Sequence, residues 1–340
     1  MSEPTAARRP WRYRPGPTLW PLVALVLLFA YNALRTPNFL HLEVREGRLF
    51  GTTVDILHRG TPVVLLATGM TFVIATAGVD LSVGAVMAIT GAAAALLLTR
   101  TALPVPAVVA GALAVSVACG AWNGALVAGL GLQPIVATLV LLVAGRGIAQ
   151  LLTDGMIITF ERPSFEAIAG GAAGGVPITV LIAAGVVLLT LLVTRGTVLG
   201  LRIEAVGGNE RASRLAGIDA GRTKLLVYGF CGLCAGIAGL IATADIKAAD
   251  SNNCGLFLEL DAILAVVIGG TSLSGGRANL PGSVVGALVM QTVTTMIYAQ
   301  GRGPEYTLVV KAVAVAAVCL LQSDLLRAAL RRRSGELRAA

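Results

Sequence analysis

Residues 202–218 read R-I-E-A-V-G-G-N-E-R-A-S-R-L-A-G-I, a charged, glycine-marked stretch in a chain that is otherwise apolar. Of 340 residues, 56% are hydrophobic and only 13% charged, about half the charged share of a typical soluble domain. The mean hydropathy is +0.83. Apolar runs approach the length of about 20 residues that a helix needs to cross a bilayer. Backbone polar groups in lipid must be satisfied within the protein, and these runs lack turn-bounded alternation. They therefore point to helices rather than an outer-membrane barrel.

The expected fold class is an all-α integral membrane protein, a polytopic bundle of ten transmembrane helices. The spans are expected at 19–34, 61–78, 82–99, 105–129, 134–152, 177–194, 224–243, 259–271, 282–298 and 306–321. Arg8, Arg9, Arg12 and Arg14 precede the first span, and Arg327, Arg331, Arg332, Arg333 and Arg338 follow the last. Cytoplasmic loops carry the excess of Lys and Arg, so both termini are expected to be cytoplasmic, which needs an even number of spans. The domain plan is a basic cytoplasmic tail at 1–18, a permease domain at 19–321 and a second basic tail at 322–340. The loop at 195–223 carries Arg195, Arg202, Arg211, Arg214 and Arg222 and falls on the cytoplasmic side. The acidic loop before the eighth span, with Asp245 and Asp250, falls outside. The loop at 35–60 is a mild exception, its arginines largely balanced by Glu43, Glu46 and Asp55. No A-x-A site follows the first span, which reads as a retained anchor.

Within 202–218, Asn209 suits an N-cap, Glu210 a positive helix end and Gly217 a C′ position. About two turns of helix are expected between them, with Ala212, Leu215 and Ala216 sharing one small apolar face flanked by Arg211 and Arg214. So short a helix is marginal alone in water and needs a partner surface. That partner is either a soluble protein or the anionic face of the membrane.

Glycines four apart, at 120 and 124, 232 and 236, and 282 and 286, place backbones for close helix packing. Four of the five cysteines (Cys119, Cys231, Cys234 and Cys319) sit in apolar runs and read as small packing residues; the fifth is Cys254. The net charge of +8 lies in short loops and tails, so no nucleic-acid partner is expected. The three lysines, Lys224, Lys247 and Lys311, do not follow a glycine, so there is no P-loop. The two histidines, His41 and His58, make no zinc or hydrolase motif, and an enzyme is not expected.

Three motifs carry a resemblance. The segment at 202–218 resembles the cytoplasmic coupling loop of sugar-type ABC importer permeases, the ribose and galactose permease family. G-V-D-L-S-V-G at 78–84 and E-L-D-A-I-L-A-V-V-I-G-G-T-S-L-S-G-G-R at 259–277 resemble two further signatures of that family, in the same order. The resemblance covers about 50 to 322. Runs such as A-A-D-S-N-N-C-G-L-F-L-E-L-D-A-I at 248–263 are most similar to its galactofuranose-importing branch. Cys254 departs from the pattern, where a small or aliphatic residue is usual.

The resemblance implies a type II ABC importer permease-like fold in the bacterial inner membrane, translocating a monosaccharide such as galactofuranose. It also implies a separate ATPase subunit that binds ATP and Mg, a second permease (copy or paralogue) and a periplasmic sugar-binding protein. This chain would bind no cofactor and no metal. Glu204, Ala205, Gly207, Asn209, Arg211, Ala212, Leu215 and Gly217 are then the ATPase-coupling residues. Other readings stay open: a stand-alone secondary sugar carrier, a permease for another small polar solute such as ribose, and a membrane scaffold.

Candidates for the translocation path or its gate are Asp80, Ser82, Asn123, Gln133, Gln150, Glu259 and Asp261. Charges inside the membrane are costly and often functional, and the amides match sugar hydroxyls. Asp80 is otherwise an N-cap at a cytoplasmic turn. Arg146 either snorkels or pairs with an acid near Glu259 or Asp261, and Lys311 snorkels. The shared pattern G-x-x-L-S-x-G at 78–84 and 270–276 is either an internal repeat or a coincidence.

Overall fold

The computed structural model describes residues 18–35, 39–45, 47–301, 303 and 305–313. Twelve helices carry the fold. They are α1 (Leu19–Arg35), α2 (Thr52–Ala75), α3 (Val83–Arg100), α4 (Val105–Ala128), α5 (Pro134–Leu152), α6 (Pro163–Gly170), α7 (Ile178–Gly196), α8 (Val198–Gly208), α9 (Glu210–Leu215), α10 (Ala220–Ile246), α11 (Leu258–Ile268) and α12 (Leu280–Ala299). Residues 305–313 are helical as well. Three two-stranded ribbons are confined to the connections. Among the described residues seven helices are long and apolar enough to cross a membrane: α2, α3, α4, α5, α7, α10 and α12.

Several expected spans are met closely, and 134–152 coincides with α5. The second is corrected. It starts at Thr52, because Asp55, His58 and Arg59 prolong the helix beyond the apolar run, and it ends at Ala75. The eighth is also corrected: α11 has 11 residues, about 16 Å at 1.5 Å per residue, roughly half the hydrocarbon thickness. The tails (apart from Thr18), the second half of the span at 306–321 and Cys319 lie outside the described residues.

At the centre α2 crosses α10, with Gly69 against the backbone of Cys231. Leu65, Leu66, Met70 and Ile74 of α2, Met87 of α3 and Tyr228 of α10 are wholly buried there. By contrast α4, α5 and α7 present leucine and valine outward. α3 and α4 pack on α10, while α11 and α12 pack on α2. α2 and α10 run in opposite directions, with His58 near Asp245, Gly69 on Cys231 and Gly78 on Tyr228. In this arrangement the break at 76–82, between α2 and α3, corresponds to the break at 247–257, between α10 and α11. The G-x-x-L-S-x-G match at 270–276 lies after α11, at no equivalent place.

Each break brings a helix start into the interior. Val79 lies beside Tyr228, two turns into α10, and Met87 lies against Gly239, seven residues from its far end. α3 therefore begins near the middle of α10. There Gly84 abuts Gly255, which precedes α11, so closely that a methyl on either would overlap the other's backbone.

The glycine pairs seen in the sequence do pack helices. Gly120 and Gly232 touch backbone to backbone between α4 and α10, and Gly286 meets Ala265 between α12 and α11. At the end away from 195–223, His58 hydrogen-bonds Thr179 at 2.8 Å and Asp245 at 3.4 Å, tying α2, α7 and α10.

Two glycines on α10 give opposite outcomes. Gly232→Ala places its methyl into Ser116 O and Gly120, and overpacking of this kind costs about 1–3 kcal/mol. Gly229→Ala meets nothing within 4 Å and is expected to stabilise by up to about 1 kcal/mol through helix propensity. Thermal unfolding in detergent should lower the midpoint for the first and preserve or raise it for the second.

Candidate functional site

The segment at 195–223 folds as α8 and α9. Asn209 caps α9, its Oδ1 accepting from Ala212 N at 3.0 Å, and Gly217 takes φ +81° just past the helix. Such a cap contributes about 1 kcal/mol. Glu210 Oε1 accepts from Arg214 and its Oε2 from Lys224 of α10, each at 2.7 Å. The bonded Lys224 ammonium, and then Arg214, hold the Glu210 carboxyl below the ordinary carboxylate range, against partial burial. This anchor is therefore present above that range and is lost only as pH falls through the lowered value.

Ser213, not Ala212, turns inward; Ala212 and Ala216 are exposed and Leu215 is 91% exposed. The apolar face read from the spacing is thus presented outward, with Arg211 exposed beside it.

Behind that face the contacts are backbone to backbone. Gly207 sits on Ala75 O, where any Cβ would overlap, and Gly276 N donates to the same carbonyl at 2.9 Å. Gly275, at φ +81°, packs on Ala77. Glu204 Oε1 accepts from Ala278 N at 3.0 Å, while Ala205 is half-buried on α8. The end of α2, the segment at 195–223 and the turn after α11 therefore meet at one point. Sequence reasoning missed Ala75, Lys224, Gly275 and Gly276 in this role; the adjacent glycines at 275 and 276 were the available signal.

The path candidates divide into separate groups. Asp80, Ser82 and Asn123 do come together. Asp80 Oδ1 accepts from Ser82 N at 2.9 Å, Ser82 Oγ at 2.7 Å and Asn123 Nδ2 at 3.3 Å, and Asn123 also donates to Ser82 Oγ at 2.8 Å. Asp80 is only 1% exposed. It is neither at a surface turn nor the N-cap, which is Ser82, because 76–82 runs back into the bundle.

Gln133 joins the end that carries 195–223, beside Gly207, Asn209 and Glu210 around a cavity of about 440 Å³. Gln150 donates to Asn252 at 2.8 Å at the opposite end of α5. Glu259 lies against Gly84, and its Oε2 is a buried oxygen with no hydrogen-bond partner among the described residues. Asp261 pairs with Lys311 at 2.5 Å, so Lys311 is held inside rather than snorkelling. Among the described residues Arg146 bonds no acid; it donates to Cys254 O at 2.7 Å and Ser251 O at 3.2 Å. Carbonyls left free by the break at 247–257 take the place of the expected carboxylate. Among the described residues no group of three or more His, Cys, Asp or Glu is placed to hold a metal ion.

Among the described residues the structure thus combines seven helices long and apolar enough to cross a membrane with one charged segment at 195–223. Residues 52–319 match the family described as branched-chain amino acid transport system / permease component. The galactofuranose transporter permease protein YtfT of Escherichia coli K12 is 51% identical over 95% of this chain and 94% of its own length. The fructose import permease protein FruF of Bifidobacterium longum is 42% identical over 89% of this chain and 87% of its own. The ribose import permease protein RbsC of Escherichia coli K12 is 38% identical over 89% and 92%. No solved structure matches. The chain belongs to this permease family: it is a multi-pass inner-membrane permease subunit of an ABC importer, not an enzyme.

Two substitutions probe the segment at 195–223 and the coupling role expected of it. Gly207→Ala should uncouple ATP hydrolysis from transport, since its methyl has no room on Ala75 O, whereas Gly208→Ala, with nearest contact at 4.0 Å, should transport normally. Glu210→Gln should raise hydrogen exchange across 209–217 severalfold while leaving the spans protected. In the unsubstituted protein that protection should stay flat between about pH 6 and 8, where the carboxylate is fully ionised.

Proposed function

We propose that this chain is one of two permeases in a monosaccharide importer, carrying galactofuranose or a closely related sugar across the inner membrane. Sugars are named for all three relatives above, and the galactofuranose permease shares half its residues with this chain over nearly its whole length. A separate ATPase subunit binds ATP and Mg, a second permease (copy or paralogue) completes the path, and a periplasmic protein delivers the sugar. Ten spans with both termini cytoplasmic fit the arginine distribution and the helix at 305–313. The division into basic tails at 1–18 and 322–340 around a permease domain at 19–321 belongs to the same reading.

The observation that carries the proposal is the outward apolar face of α9, centred on Leu215, on a segment fixed by backbone contact to the ends of two spans. A six-residue helix gains little alone, and such a face suits a partner that pushes on it. Glu204, Ala205, Gly207, Asn209, Arg211, Ala212, Leu215 and Gly217 form the coupling loop. The partner must bind differently in the two states of its cycle, because equal binding in both shifts nothing.

The test is sugar uptake by proteoliposomes holding the permeases, the ATPase and the binding protein. Uptake is expected with ATP and no ion gradient, and Leu215→Asp should abolish it and lose the ATPase from detergent-purified complexes. Uptake driven by an ion gradient without the ATPase would instead establish a secondary carrier.

A further inference from the structure

We propose that the exposed face of residues 252–260 lines the translocation path and is the surface over which a neutral, polyhydroxylated solute passes; this rests on the transport reading above. α11 covers only about half the bilayer, and the stretch that completes its span is not helical. That stretch descends into the bundle. Ser251 Oγ donates to Ala149 O at 3.0 Å, Cys254 O takes the Arg146 guanidinium, and Gly255 rests on Gly84 at the level where α3 begins. One side is thus packed against α3 and α5.

The other side is open: Asn252 and Asn253 are exposed, and Leu256, Phe257 and Leu260 are 46%, 45% and 48% exposed. Lipid cannot be what covers it. Irregular backbone at membrane depth persists only where it is buried in protein or faces water. Phe257, at φ +63°, sits in a conformation that a bulky residue rarely takes. The contrast is α7, where Leu188, Leu189 and Leu192 are more exposed still but stand on a regular helix, as a lipid-facing surface requires.

The order of side chains with depth fits a solute of this kind. Asn252 and Asn253, beside Gln150 near the end away from the docking segment, offer amide donors and acceptors to hydroxyls. Deeper, Leu256, Phe257 and Leu260 form an apolar belt that can touch the C–H faces of a sugar ring but holds no hydroxyl. A solute is admitted at the mouth and is not retained at mid-depth, as passage demands.

The experiment uses the assembled transporter in proteoliposomes, its five native cysteines replaced and ATP-driven uptake retained. Single cysteines go in at Asn253, Phe257 and Leu260, with Leu192→Cys as the lipid-facing control. A charged methanethiosulfonate reagent, which reacts only with thiols in water, is applied to both faces of the membrane. Modification at 253 and 257 is expected to be at least about tenfold faster than at 192, because a thiol lining a water-filled path ionises and meets the reagent, whereas one facing lipid does neither. Binding protein loaded with sugar should slow it. Rates at all three positions equal to that at 192 would overturn the proposal, and would show a dry contact with the second permease. If Phe257→Cys fails to assemble, 253 and 260 carry the same test. Intact uptake with no modification defeats this inference alone; modification without ATP-dependent uptake defeats the transport reading instead.

Discussion

The backbone's need for hydrogen-bond partners in a medium without water governs this molecule. An uninterrupted helix meets it internally, and most of the chain does so. Two spans do not, and what surrounds the interruptions is what the missing helical turns require. Tyr228 donates to Val79 O, Asp80 accepts from Ser82 N, and Arg146 donates to two carbonyls between α10 and α11. Asp80, Ser82, Asn123 and Ser251 serve these two breaks, whereas buried threonines such as Thr68, Thr71, Thr90 and Thr292 bond a carbonyl one turn back in their own helix.

Close packing follows from the same condition. Two interrupted spans meet at mid-depth only if their backbones approach, and glycine permits it at 84 and 255. The α4–α10 contact at Gly120 and Gly232 and the α2–α10 contact at Gly69 serve the helices that hold the breaks in place. Removing side chains from these contacts lets dispersion act over long backbone interfaces, the device that replaces hydrophobic driving force within a bilayer.

Much of this was legible in the residues, because hydropathy reports burial in lipid directly. α5, α4 and α1 fall within a residue of their expected bounds, and Asn209 and Gly217 mark α9 through local cap chemistry. The interruptions were not legible. Hydropathy carries no sign of how deep a turn lies, so the short eighth span expected at 259–271 did not show the irregular stretch that precedes it, and the turn at Asp80 read as a surface cap. Partners distant in sequence, such as Asn123 for Asp80, 43 positions away, depend on the fold. Arg146 was matched to carboxylates because sequence displays charges; its carbonyl acceptors become available only once the helix is known to break.

The junction of Gly207, Ala75 and Gly276 bears on mechanical stiffness. Long side chains at such a point would absorb a displacement by switching rotamers, so that part of any stroke would be lost as slack. Here peptide units rest directly on peptide units, with one hydrogen bond and no χ torsion between them. A shift of the 207 backbone must move the end of α2 and the turn after α11 by a similar distance, as rigid links without play.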